Sequence, residues 1–249
     1  MENKKNNLPH RSIRLFTNNT LEKHTSIKIV GEDYHYLRNV MRISIEDELF
    51  LFNGIEGEWK SKAIQITRKF IELEILYKNR EQIKYTNFEC FFSPLNNNRH
   101  NYIIEKLTEL GILSFTPVLT TYSNIRKFNQ NKALLRGKEA AEQCGLMQVP
   151  NINEMITFNE LLQQGYNNKS LIFFDEESPV KNPIEVISSL KDKKISFLIG
   201  PEGGFSDIER ASILELNNVV RLSLGSRILR ADTAAIVSAS IIQFTIGDI

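Results

Sequence analysis

The sequence predicts two parts, a small β-barrel over residues 1–78 and an α/β domain built on a parallel sheet over residues 79–249. Three observations predict this division. Before position 77, short strand-like runs are broken by turn pairs such as Asn53-Gly54 and Glu56-Gly57. After position 86, continuous apolar runs alternate with amphipathic stretches, as in a parallel sheet covered on both faces. Near the C-terminus, two glycine-bearing loops each leave an apolar strand and enter a helix.

In chain order, strands are expected at 26–30, 48–52, 58–66 and 70–76, with one short helix at 34–41. Closely spaced strands with a single helix suggest a barrel. The polar stretch 78–86 reads as a linker. Beyond it the expected order is strand 88–93, helix 101–110 ending at Gly111, strand 115–119 and helix 132–144. Strand 171–175, helix 184–190, strand 195–199, helix 207–216, strand 219–224 and helix 233–244 complete the pattern. In open parallel sheets, ligands bind beyond the C-terminal ends of the strands. That rule directs attention to residues 200–205 and 225–230.

Composition excludes several classes. With 41% hydrophobic and 24% charged residues over 249 positions, the chain can bury a core of ordinary globular size. No apolar run is long enough to span a bilayer, so no membrane partner is expected. Residues 1–11 are polar and basic, unlike a secretory signal. Cys90 and Cys144 suggest no disulfide framework, and no Cys/His cluster has zinc-ligand spacing. A reduced, cytoplasmic location without a bound metal is the expectation. The net charge of +1 does not by itself point to nucleic acid.

The first loop reads Gly200-Pro201-Glu202-Gly203-Gly204-Phe205. Its glycines permit positive φ and close approach of a ligand to backbone N–H groups. Ser206 is a candidate N-cap, and Glu209 completes a capping box. A phosphate-binding P-loop would need Lys-Ser/Thr after its last glycine, and a dinucleotide fingerprint would need Gly-x-Gly-x-x-Gly; the loop spells neither. The second loop carries Gly225, then Arg227 and Arg230 three residues apart, whose guanidinium forks suit phosphate or carbonyl groups. Asp232 or Thr233 is the expected cap of the last helix. That helix is apolar almost all round, so it lies in the core or beneath a second subunit.

In this order and spacing, Ile199-Gly200-Pro201-Glu202-Gly203-Gly204-Phe205-Ser206 followed by Leu224-Gly225-Ser226-Arg227-Ile228-Leu229-Arg230-Ala231-Asp232-Thr233-Ala234 resembles the RsmE family of 16S rRNA uridine N3-methyltransferases, of the SPOUT superfamily. Lesser matches are Lys106 to Gly111, Glu142-Gln143-Cys144-Gly145, Arg14-Leu15-Phe16, and His35 through Val40 to Arg42. Departures are Asp232 where the family usually has Glu, Leu146 where Arg is common, and Asn96-Asn97-Asn98-Arg99 in place of a Lys-Gly-Asp-like stretch.

The resemblance implies a PUA-like RNA-binding barrel before a SPOUT domain whose C-terminal trefoil knot holds S-adenosylmethionine, in a homodimer. By position, Leu198, Gly200, Glu202, Gly203, Leu222, Leu224, Gly225 and Leu229 would form the cofactor pocket. Arg230 or Arg227 would stabilise charge developing on uracil O2 and O4, with Asp232 or Glu202 as proton acceptor. Arg14, Arg38, Arg42 and Arg227 would contact 16S rRNA. His35 reads as a packed or surface histidine, and Lys106 and Glu109 as an exposed pair on one helix face. A SPOUT ribose 2′-O-methyltransferase shares a glycine loop but usually carries an Asn-Val-Ser-like run in the second segment.

Overall fold

A period of two governs the first strands of the chain. In β5 (Ile71–Arg80), Ile71, Leu73 and Ile75 are fully buried while Glu72 and Glu74 remain partly exposed, as a sheet with one wet face requires. The computed structural model describes residues 12–123, 125–164, 169–179, 182–191 and 193–249. The polar stretch 1–11 discussed above lies outside the described residues.

The chain divides into two compact units. One holds the chain up to Lys84 together with Ala141–Val149, and the other holds Tyr85–Ala140 and Pro150–Ile249. The first unit contains β1 (Arg14–Phe16), β2 (Ser26–Ile29), β3 (Glu48–Phe52), β4 (Glu58–Ile66) and β5, in spatial order β1-β3-β4-β5-β2. β1 runs parallel to β3 and the other pairs are antiparallel. Register shifts along the β4–β5 pair mark bulges, which bend and twist long strands. Gly57 has φ +86, and a Cβ there would lie 2.3 Å from the Arg80 carbonyl oxygen, so only glycine fits this turn.

Two expectations change in this unit. The helix expected at 34–41 is α1 (Gly31–His35) followed by a π-helical turn over Tyr36–Val40, in which the Met41 N–H reaches the Tyr36 carbonyl at 3.0 Å. The linker expected from position 78 begins later, because β5 continues to Arg80. Strand β1 was not anticipated; three residues are too few to show a period.

The second unit contains β6 (Glu89–Phe92), α2 (Asn97–Glu109), β7 (Ser114–Leu119), α3 (Gln130–Cys144), whose last turn groups with the first unit, and the two-residue strands β8 (Asn151–Ile152) and β9 (Ile156–Thr157). There follow α4 (Phe158–Gln163), β10 (Lys169–Phe174), α5 (Pro183–Ser188), β11 (Lys194–Ile199), α6 (Asp207–Leu214), β12 (Val219–Leu222) and α7 (Ala231–Ile246). The strands pair in parallel in the order β12-β10-β11-β6-β7-β8, with β9 also on β7. The expected parallel sheet is present; β8, β9 and α4 were not foreseen.

Both faces of this sheet are covered, and alternation along each strand sorts the side chains. Cys90, Phe92, Phe197, Ile199 and Leu222 pack with Ile103 and Leu107 of α2, Ile187 of α5, and Ala235, Ala239 and Ile242 of α7. Phe91, Phe173 and Leu198 pack on the opposite face with Leu161 of α4 and Ile213 of α6. Each fully buried large apolar side chain contributes roughly 1.5–3 kcal/mol. Strand order reverses between β6 and β11, where the Ser93 N–H donates to the Ile199 carbonyl at 2.9 Å. This is the position at which open α/β sheets leave a crevice.

Candidate functional site

The first glycine loop begins where β11 ends. Gly200 lies against the Phe205 ring, and a Cβ at Gly200 would come within 2.7 Å of it. Phe205 in turn packs edge-on against Phe173, with centroids 5.4 Å apart. The Gly204 N–H closes a turn on the Pro201 carbonyl at 3.0 Å, and Gly204 has φ +71. The capping box expected at Ser206 is present. The Ser206 side chain accepts from the Glu209 N–H, and the Glu209 side chain accepts from the Ser206 N–H at 3.0 Å. The second oxygen of Glu209 accepts the Thr121 N–H at 2.8 Å, joining the start of α6 to the loop after β7.

The second loop leaves β12 through Ser223, whose hydroxyl accepts the Gly225 N–H at 3.2 Å. Gly225 has φ +115. The expected cap at Asp232 or Thr233 is not formed. Arg230 is the N-cap of α7 without a side-chain cap bond, and Asp232 lies within the first turn, accepting the Thr233 N–H at 2.9 Å. A carboxylate there is favoured by the partial positive charge of the helix N-terminus.

The two loops line one cleft of about 710 Å³. Leu198, Gly200, Glu202, Gly203, Leu224, Gly225 and Leu229 line it together with Arg227 and Arg230. Leu222 does not; its side chain is fully buried beneath the sheet face that carries α7. The mouth holds a charged group that spacing did not reveal. Arg99, in the first turn of α2, pairs with Glu202 and lies 4.0 Å from Asp232. Asn96 caps that helix by accepting the Arg99 N–H at 3.2 Å. Arg227 and Arg230 are exposed and unpaired with any carboxylate among the described residues.

A second charged cluster stands at the end of β10. Asp175 is buried and accepts from Arg221 of β12 at 2.6 Å and from Arg210 of α6 at 3.2 Å. Burial opposes its charge, but the Glu177 N–H and the Arg210 and Arg221 guanidiniums outweigh that and hold the carboxyl below its ordinary range. Asp175 thereby ties together the elements that carry the two loops. An acidic residue directly after an apolar strand was the available signal for it.

The four expected RNA contacts separate. Arg38 and Arg42 are exposed, as is His35. Arg14 is not available to phosphate: it is 7% exposed, its Nε donates to Glu58 at 2.6 Å, and its terminal nitrogens donate to the carbonyls of Ala141, Glu142 and Leu146 at 2.8–2.9 Å. Its fork is consumed inside the first unit. Lys106 and Glu109 form the expected surface pair at 2.8 Å. Among the described residues, no group of His, Cys, Asp and Glu is arranged to hold a metal ion. No helix among the described residues is long and apolar enough to cross a membrane.

Comparison with known proteins gives this geometry a context. A family model described as an RNA methyltransferase domain matches residues 82–243, and one described as an RNA methyltransferase PUA domain matches residues 29–76. The ribosomal RNA small subunit methyltransferase E of Rickettsia conorii is 28% identical over 227 residues, covering 90% of this chain and 92% of its own length. That of Bacillus subtilis is 28% identical over 241 residues, covering 92% and 93%. A methyltransferase structure from Legionella pneumophila, solved with the cofactor SAM, aligns with TM-score 0.83 at 25% identity over 96% of this chain and 100% of that one. The fold is shared with a Neisseria gonorrhoeae ribosomal RNA small subunit methyltransferase E, at TM-score 0.83 and 22% identity over 96% and 99% of the two chains.

Proposed function

The chain belongs to the RNA methyltransferase family, and from that premise we propose that it methylates N3 of a uridine in 16S rRNA of the small ribosomal subunit. The observation that carries the reading is the single cleft between the two glycine loops, with Arg99, Glu202, Asp232 and Arg230 around it. S-adenosylmethionine fits the donor set. Leu198, Leu224 and Leu229 offer apolar surface to an adenine, the glycine loops offer backbone N–H groups, and the volume lies within the range of small-molecule sites. When bound, the sulfonium supplies an activated methyl group.

The residues around the cleft then have a proton and a charge to manage. Uracil N3 carries an imide proton that is largely retained at neutral pH. Glu202 or Asp232 accepts it, directly or through water. Arg230, exposed at the edge and free of a carboxylate partner among the described residues, stabilises the charge that spreads onto O2 and O4. Arg227 holds neighbouring phosphate. Arg38 and Arg42 supply further RNA contacts from the PUA domain.

Two further parts of the reading rest on resemblance as well as on the elements described. The chain passes from β10 to β11 and back outside β10 to β12, an order compatible with a trefoil knot through the cofactor loops. A homodimer that works in the cytoplasm suits the apolar side chains exposed on α7 and the second loop. The test is methyl transfer from labelled S-adenosylmethionine to small subunits lacking the modification, followed by nucleoside mass spectrometry. We expect N3-methyluridine, and a loss of about 10²–10³-fold in Arg230→Ala with cofactor binding retained. A methyl group on ribose would sink the assignment, and undiminished transfer by the variant would remove Arg230 from the chemistry.

A further inference from the structure

Residues 120–123, which follow β7, are held by a cluster of side-chain hydrogen bonds. The Ser93 hydroxyl lies 2.6 Å from that of Ser123 and 3.1 Å from that of Thr120, and the Ser123 oxygen accepts the Thr120 N–H at 2.9 Å. The Thr121 N–H is held by Glu209 at 2.8 Å. Residues 120–123 are therefore anchored to the ends of β6 and α6, on both sides of the switch point.

This anchored loop presents one aromatic ring. Tyr122 is 50% exposed, and a Cβ on Gly203 would lie 3.3 Å from the Tyr122 Cβ. Gly203 lines the loop cleft and also, with Thr121, Tyr122 and Ser123, a separate hollow of about 450 Å³. With no side chain at Gly203, Tyr122 packs closely against the first glycine loop at a residue that also lines the cleft. Other exposed tyrosines are differently placed. Tyr77 and Tyr102 each carry a lysine ammonium over the ring at 5.8 Å, Tyr36 belongs to the π-helical turn of the first unit, and none of the three lines the hollow beside Gly203.

We propose that Tyr122 is the platform on which an unpaired base of the RNA substrate stacks as it approaches the cleft. The inference rests on the methyltransferase reading above. A base whose N3 edge must be reached has left its neighbours and lost its stacking. An aromatic ring restores one face, and restores it to any base, since every base has a π-face. Because the loop is already fixed, little conformational freedom is lost on binding. The adenine of the cofactor is the other planar group in question. The apolar residues suited to it, Leu198, Leu224 and Leu229, line the cleft and not the hollow of Tyr122.

The test compares the full-length native protein with Tyr122→Ala and Tyr122→Phe. In methyl transfer to small subunits lacking the modification, KM for the subunit rises roughly ten- to hundredfold in Tyr122→Ala and stays within about twofold of native in Tyr122→Phe. Calorimetry with S-adenosylmethionine gives the same Kd for all three. A native KM in Tyr122→Ala overturns the proposal; so does a weakened cofactor Kd with unchanged KM, which would give the ring to adenine. Anisotropy with a fluorescent single-stranded uridine-containing RNA, read without turnover, separates the two readings. If the native protein transfers no methyl, the methyltransferase reading fails, while RNA affinity lost in Tyr122→Ala still supports the platform and equal affinity overturns it.

Discussion

Arg99 and Arg14 show how much a single side chain depends on what the fold brings to it. Arg99 faces two carboxylates from segments far along the chain, Glu202 and Asp232. The pair is partly exposed, so its worth to stability is small, about 0–1 kcal/mol. Its worth to activity is larger if it positions the carboxylate that accepts the imide proton. Arg99→Met is therefore expected to slow methyl transfer by at least about tenfold while the melting temperature scarcely moves, and Arg99→Lys to recover part of the rate. A rate loss that merely tracks a fall in stability would assign Arg99 to the scaffold. Arg14 is the opposite case. Its partner Glu58 is fully buried and also bonds Arg80 and Asn79. Burial works against the Glu58 charge, but Arg80, Arg14 and Asn79 outweigh it and keep the carboxyl below its usual range. The ionised carboxylate thus stabilises the fold above the unfolded pKa, and that contribution disappears as pH falls through the lower folded value. Glu58→Gln leaves two guanidiniums without their counter-charge and should cost about 3–5 kcal/mol near neutrality. In denaturation series the gap between variant and native should narrow as the solution is acidified; a constant gap would mean that packing, not charge, is lost. In the sequence, Arg14 and Arg38 looked alike, because the carbonyls that consume Arg14 belong to residues 141, 142 and 146.

At the scale of an element, the start of α6 controls the first loop. Ser206 and Glu209 satisfy each other's backbone N–H groups, and Glu209 also holds the loop after β7. Replacing Ser206 with Ala should destabilise the chain by about 1 kcal/mol and weaken S-adenosylmethionine severalfold, since Gly203 and Gly204, which line the cleft, stand just before this cap. Chemical denaturation and calorimetry measure the two effects. Full stability with unchanged affinity would show that the cap is redundant. This element was legible in advance because its signal is local: glycines, a serine and a glutamate within ten residues. The same kind of capping box, Thr157 with Glu160, marks the start of α4. The strands β8 and β9 were beyond pattern reading, since two residues carry no period and each exists only because β7 supplies a partner. For the site, seven of the eight residues assigned to the cofactor pocket by resemblance do line the cleft. The side chain of Leu222 does not, for a reason of alternation: its position in β12 turns it into the core. Arg99 and Tyr122 were not legible because each gains its meaning from a strand order that places β6 and β7 near β11.

For the molecule as a whole, the remaining physical problem is apolar surface. Ile228, between the two arginines of the second loop, is 87% exposed, and Phe244, near the end of α7, is 72% exposed. One face of α7 is occupied: Ala235, Ser238, Ala239, Ile242 and Gln243 are buried within the unit. A helix that is apolar nearly all round and covered on one side leaves its other side for a partner. The homodimer proposed above would place a second copy of the chain on that side, beside a second loop that exposes Ile228. On this account the cleft is completed by dimerisation, and affinity for the cofactor depends on protein concentration. Sedimentation of the native protein should then give a dimer at micromolar concentration, and Phe244→Glu should shift it to monomer through the cost of burying an unpaired carboxylate. The same variant should bind S-adenosylmethionine more weakly although Phe244 does not line the cleft. A monomeric native protein with full affinity would sink the dimer. A monomeric variant with undiminished affinity would keep the dimer and separate it from the cleft, leaving Ile228 to face RNA instead of a second subunit.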